Sequence, residues 1–369
     1  MKRIAVVTAT RAEYGLLKWL MREIENSHYF ELQLVVTGAH LLESQGHTID
    51  QILADGFVPS EVVDVALDND SLETIATTLG RMTEQFAHTW ARLKPDYVVV
   101  LGDRYELFPI VNTAFLMRIP IIHISGGDVT EGAIDDGVRN AVTMIADYHF
   151  PGTKDSAVNI SRMRGSDRYV WAVGEPGLDN FIKEKLMTRE ELANDLGINM
   201  EKKWVLLTYH PETKQSLEYN ITTVENIVDS LQSLDNIQVV ATYSNADYGG
   251  VSINKFLEEK AIEKPCVFKV IPSLGRRYLS FMRQAKLVIG NSSSGIVEAP
   301  FMGIPVVNVG ERQRGRHICS NVIQAGADRS SINEALDKAF SMQNVEKDYY
   351  WGDGHTAEKI INILNEELA

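Results

Sequence analysis

The chain has 369 residues, enough for two domains that each bury a core, and its 44% hydrophobic and 23% charged content is ordinary for a globular protein. A formal net charge of −14 argues against nucleic acid or an anionic membrane as partner, while local arginines still allow a small anionic substrate. Two cysteines, Cys266 and Cys319, make no disulfide framework and fit a reducing cytosol; no apolar run approaches the roughly 20 residues that span a bilayer, so a cytoplasmic protein is expected.

In chain order, residues 4–7 read as a first strand, 8–11 as a turn, and 13–25 as a helix with Leu16, Leu17, Leu20 and Ile24 inward. Residues 32–36 form a second strand, with Gly38, Ala39 and His40 past its end. A short helix at 48–54 and a third strand at 62–65 follow. A long amphipathic helix spans 71–93 behind a Ser71 N-cap. Strands at 97–101 and 120–124 end in Gly102-Asp103-Arg104 and Ser125-Gly126-Gly127-Asp128, and each leads into a helix, the second over 137–146. The Gly/Pro cluster at 174–177 marks a domain hinge. A second series of strands follows at 204–208, 238–242, 267–271, 287–289 and 304–309. The last helix, 356–368, puts Ile360, Ile361 and Leu364 on one face and is expected to pack back on the first domain. Alternating strands and helices predict an α/β protein of two doubly wound, Rossmann-like domains facing a central cleft: 1–173 with 351–369, and 174–350.

In such sheets the ligand sits off the carboxyl ends of the strands. Arg11, His40, Asp103, Arg104, Asp128 and Asp135 all fall there, and Arg104 is a candidate to hold the substrate. The stretch 286–316 offers an anion seat: a strand, a Gly-Asn break, three serines (Ser292, Ser293, Ser294) at a helix start, then Gly303 and another strand. Free N–H groups and the helix dipole favour negative charge at such a start. Glu298 lies one turn beyond Ser294 and suits a ribose diol. Arg312, Arg314 and Arg316 follow the second strand and could clamp phosphate. The plainer alternatives are capping serines, Asp103 and Asp135 as helix N-caps, Arg104 paired to a nearby carboxylate, and Asp128 and Glu131 solvating their loop. His210, off a strand end, is a further candidate for chemistry. No spacing suggests a metal site, and there is no Walker loop or dinucleotide fingerprint, so neither metal nor cofactor is expected.

Seven motifs together carry a likeness that runs nearly end to end: TRAEYG at 10–15, GDRYE at 102–106, GGDVTEGAIDD at 126–136, YHPET at 209–213, SNAD at 244–247, GNSSSGIVE at 290–298 and GERQRGR at 310–316. By these the chain resembles the hydrolysing UDP-N-acetylglucosamine 2-epimerases of bacterial sialic acid synthesis, which have the GT-B fold. The resemblance implies UDP-N-acetylglucosamine and water as substrates, UDP and N-acetylmannosamine as products, and a homodimer. It implies Arg11, His210, Ser292, Ser293 and Arg312 on the diphosphate, Asn245 and Glu298 at the nucleoside, and Asp103 and Asp135 as catalytic carboxylates. The chain departs from the family at two places: Ser125 stands after His123-Ile124 where many members carry glutamate, and Asn140 follows Arg139 where histidine is usual. Asp128 and Glu131 are the nearby acids that could take the missing role. The alternatives are a 2,4-diacetamido-trideoxy sugar as substrate, a GT-B glycosyltransferase, and a UDP-sugar sensor.

Overall fold

The structure is a computed structural model that describes residues 1–43, 46–65, 72–130, 134–244 and 249–368. The chain divides into two compact units. The first comprises Met1–Asp128, Asp135–Ile182 and Gly352–Ala369, and the body of the second is Lys183–Trp351.

The first unit runs β1 (Lys2–Thr8), α1 (Arg11–Asn26), β2 (Phe30–Thr37), α2 (Ile49–Ala54), β3 (Glu61–Val63), α3 (Leu72–Leu93), β4 (Tyr97–Leu101), α4 (Leu107–Leu116), β5 (Ile121–Ile124), α5 (Asp135–Ile145), β6 (Tyr148–Phe150), α6 (Lys154–Arg164) and the short α7 (Asp179–Lys183). Its strands form one parallel six-stranded sheet in the order β3-β2-β1-β4-β5-β6. Both faces are covered, which is why the strands are continuous apolar runs. Ile4, Val6, Val99 and Leu101 face α1; Ala5, Val7, Val98 and Val100 face the other way, onto Met82, Phe86 and Trp90 of α3. Each such buried aliphatic side chain contributes about 1.5–3 kcal/mol.

The second unit repeats the plan with α8 (Arg189–Leu196), β7 (Lys203–Thr208), α9 (Leu217–Gln232), β8 (Ile237–Thr242), α10 (Gly250–Glu263), β9 (Phe268–Ile271), α11 (Arg277–Gln284), β10 (Leu287–Gly290), α12 (Ser293–Met302), β11 (Val306–Val309), β12 (Val322–Ala325) and α13 (Arg329–Ser341). The sheet order is β12-β11-β10-β7-β8-β9. Counted from its own first strand, this is the same order as in the first unit. Two edge strands, β6 and β12, were not foreseen. They have three and four residues. The Ser71 cap lies outside the described residues.

The final helix, α14 (Thr356–Leu368), belongs to the first unit. Its N-terminal N–H groups at Thr356 and Ala357 donate to the buried carboxylate of Asp179, each at 2.8 Å. Ile360, Ile361 and Leu364 join the core around Leu17 and Leu20 of α1. A distant carboxylate thus caps the start of the helix.

Candidate active site

In the first unit the sheet order reverses between β1 and β4. Chains leaving those two strands diverge and leave a crevice at their carboxyl ends. α1 starts there. Its cap is Thr10, whose hydroxyl accepts from the Glu13 N–H at 3.3 Å, while the Glu13 carboxylate accepts from the N–H groups of Ala9 (2.7 Å) and Thr10 (3.1 Å). Arg11 is the first helical residue and half-buried. Burial pushes the Glu13 carboxyl up to about 7. His40 bridges Thr8 Oγ1 (2.9 Å) and Thr48 Oγ1 (2.8 Å); burial pulls it down to about 4, so it is a neutral brace between loops.

Asp103 follows β4 and forms an ion pair with Arg139 of α5. Arg139 is almost wholly buried and also donates to the Asp128 carbonyl (2.8 Å) and to Asp136 Oδ1 (3.3 Å). Burial opposes its charge, but Asp103 and then Asp128 outweigh that and raise its pKa. One guanidinium therefore ties the loops after β4 and β5 to the first turn of α5. The cap position of α4 is Glu106, whose side chain makes no cap bond. Arg104 forks onto the buried Glu106, at 3.2 and 3.0 Å. The Asp128 carboxylate accepts from Ser156 Oγ at 2.6 Å, and Asp135 is the first residue of α5. Glu131 lies outside the described residues. Ser125, in the left-handed region at φ 58°, donates to Glu175 Oε2 at 2.8 Å. Next to it His123 Nε2 lies 2.8 Å from the Gly102 carbonyl, and burial pulls that ring down to about 4.

In the second unit the order reverses between β7 and β10. The serine loop leaves β10 at that point and His210 lies just past the end of β7. Gly290 permits the approach: its φ is 134°, and a Cβ there would come within 1.9 Å of the Thr208 carbonyl. Ser292 is the N-cap of α12, accepting from the Ser294 N–H at 3.4 Å, and Ser293 is exposed. Ser294 Oγ lies 2.6 Å from the Tyr278 hydroxyl. Glu298 sits one turn along α12, where burial pushes it up to about 7. Burial first, and Arg312 second, hold His210 down at about 3, so its ring is a neutral hydrogen-bonding group at physiological pH.

The three loops are laced together. Asn291 Oδ1 accepts from the His210 N–H at 2.7 Å, and its Nδ2 donates to the His210 carbonyl at 2.8 Å. The Asn291 carbonyl accepts from Gln313 Nε2 (2.9 Å) and Arg312 Nη1 (3.2 Å). Glu212 accepts from the Glu311 N–H at 3.0 Å and occupies the space a Cβ at Gly310 would need. Asn245 lies outside the described residues. Sequence reasoning missed Glu13, Glu106, Glu175, Glu212, Tyr278 and Gln313, and read Asn291 only as a strand break. Glu13 has a local signal, the capping-box spacing from Thr10, and Glu106 pairs with Arg104 only two residues away. Glu175, Glu212, Tyr278, Gln313 and Asn291 have none, because their partners are remote in the chain.

Chemically, this second edge offers a helix N-terminus, hydroxyls, a neutral imidazole and a guanidinium: donors for a diphosphate, with one carboxylate to accept from a diol. Among the described residues no group of three or more His, Cys, Asp or Glu could hold a metal ion, and no helix is long and apolar enough to cross a membrane.

Doubly wound units with a donor-rich loop at the reversal of strand order define a nucleotide-binding class. Within that class, the family model for UDP-N-acetylglucosamine 2-epimerase matches residues 22–365, and the chain belongs to that family. It is 34% identical over 340 residues to the GDP/UDP-N,N'-diacetylbacillosamine 2-epimerase (hydrolyzing) of Campylobacter jejuni, covering 92% of this chain and 86% of that one. To the UDP-N,N'-diacetylbacillosamine 2-epimerase (hydrolyzing) of Legionella pneumophila it is 32% identical, over 98% and 95% of the two chains. Among solved structures, the UDP-GlcNAc 2-epimerase of Neisseria meningitidis bound to UDP-GlcNAc has a TM-score of 0.82 at 19% identity and covers 100% of both chains. The Methanocaldococcus jannaschii enzyme in complex with UDP-GlcNAc and UDP has a TM-score of 0.83 at 18% identity, over 99% of each. The fold is the GT-B-like pair of parallel sheets these structures share.

Proposed function

We propose that the protein is a hydrolysing 2-epimerase of a UDP-linked 2-acetamido sugar, and that UDP-N,N'-diacetylbacillosamine is the substrate to test first. The donor-rich edge of the second unit, with Glu298 one turn beyond the serines, carries the nucleotide part of this reading. The two relatives above, at 34% and 32% identity, favour the diacetamido sugar. UDP-N-acetylglucosamine is the second reading, because a 27% identical relative from Neisseria meningitidis bears that substrate's name.

The C2 proton of the sugar is not next to a carbonyl and is weakly acidic. As the C1–O bond breaks, its electron pair leaves with UDP, C1 gains oxocarbenium character and the C2 proton becomes acidic. A base then takes it, giving a 2-acetamidoglycal. Water adds at C1 and a proton returns to C2 from the other face, so UDP and the free manno sugar are released. The leaving diphosphate needs preorganised donors: Arg11, Ser292, Ser293, Arg312 and the neutral His210. The proton steps need carboxyl groups: Asp103 and Asp135, with Asp128 and Glu131 as the further acids. Arg104, whose guanidinium also pairs with Glu106, is a further candidate to hold the substrate. A homodimer and a cytoplasmic setting are part of the same proposal.

The test is incubation of each UDP-sugar alone in deuterated water, followed by NMR. Free manno sugar carrying deuterium at C2, with UDP released, is the expected outcome. Turnover that requires an acceptor sugar would mark a glycosyltransferase, and bound but intact UDP-sugar would mark a sensor. The ratio of kcat/KM for the two substrates decides between the two sugars.

A further inference from the structure

Asn291 is fully buried, and both ends of its side-chain amide are committed to the main chain of a single distant residue. It pairs with His210 as a neighbouring strand would, N–H to oxygen and amide hydrogen to carbonyl. Its own carbonyl is shared between Arg312 and Gln313. One residue thus sets the spacing of three loops: the one after β7 with His210, the one after β10 with the serines, and the one after β11 with Arg312. Buried amides with every partner in place make rigid, directional joints.

We propose that Asn291 is a positioning residue for anion binding, holding His210, the serine loop and Arg312 in one register without touching the ligand itself. This deepens the nucleotide reading above and rests on it. Preorganised donors bind more tightly because their ordering is not charged against association. Aspartate cannot replace Asn291: a carboxylate still accepts from the His210 N–H but has no donor for the His210 carbonyl, and it adds negative charge beside the phosphate donors.

Calorimetry with UDP on the full chain tests this. Asn291→Ala is expected to weaken UDP binding about 10- to 100-fold, and Asn291→Asp to weaken it further. The decisive measurement is a double-mutant cycle with His210→Ala, because the side-chain amide of Asn291 reaches His210 whereas the carbonyl that holds Arg312 survives in alanine. If Asn291 acts by placing His210, its removal costs at least about threefold less once the imidazole is gone. Equal costs in both backgrounds overturn the proposal. So does a lowered thermal midpoint with unchanged UDP affinity, which is what a purely structural joint gives. Should Asn291→Ala not fold, the isosteric Asn291→Asp runs the same cycle. Wild-type protein that fails to bind UDP removes the nucleotide reading and the proposal together; wild type that binds, beside an Asn291 variant that binds equally, removes the proposal alone.

Discussion

The two units share one strand order and hold opposite chemistry at the same edge. In the first, the residues past the strands include the acids Asp103, Asp128, Asp135 and Asp136; the Asp103 and Asp136 carboxylates and the Asp128 carbonyl meet on the buried Arg139 guanidinium. In the second they carry hydroxyls, a neutral imidazole, an amide and Arg312. The scaffold supplies position, and the loop residues set the chemical character of each edge. The buried groups differ accordingly. Arg139 is kept charged by neighbouring acids, whereas His210 is kept neutral by burial and Arg312.

The strongest way to break this comparison is to disable the acids of the first unit alone. Asp103→Asn and Asp135→Asn should each lower kcat by about 10²- to 10⁴-fold while UDP affinity, read by calorimetry, stays at the wild-type value. Unchanged kcat in both would strip the first edge of its proton role. Next comes the joint that gathers the acids. Arg139→Met should cost about 3 kcal/mol of stability in a urea titration, because it removes the buried charge that pairs with Asp103 and Asp136. A shift under half of that would mean the acids do not depend on it.

The second edge should respond the other way. Arg312→Ala should weaken UDP binding about tenfold or more through the loss of a charge-assisted contact. Glu298→Ala should weaken it by a smaller factor, and uridine should feel the loss as much as UDP does. If uridine binding is untouched, Glu298 does not serve the ribose.

The smallest effect concerns pH. Glu298 is pushed from 4.5 to about 7 in the folded protein. A raised carboxyl favours the protonated folded state, so its contribution to stability is full below about 4.5 and declines as pH rises through about 7. Wild type should therefore lose thermal midpoint relative to Glu298→Gln between pH 5 and 8. Parallel curves for the two proteins would place Glu298 in a wetter setting than its burial suggests.

Much of this was open to reading in the chain itself. Apolar runs such as 97–101, ended by Gly102, are local signals, and so are the serines before a helix that stops at Gly303. They follow from short-range rules: alternation of strand and helix, capping, and glycine at a left-handed stop. From these alone came the α/β plan, the strand ends that bear the polar residues, and the serine loop that opens a helix past β10. The tertiary structure alone decided the strand order, the short edge strands β6 and β12, and every joint between loops. Asn291 meets His210 across 81 residues, Glu311 meets Glu212 across 99, and Asp179 caps α14 across 177. Nothing in the local spacing of a buried polar residue names its partner; only burial of both, and the need to satisfy each hydrogen-bonding group away from water, selects the pair.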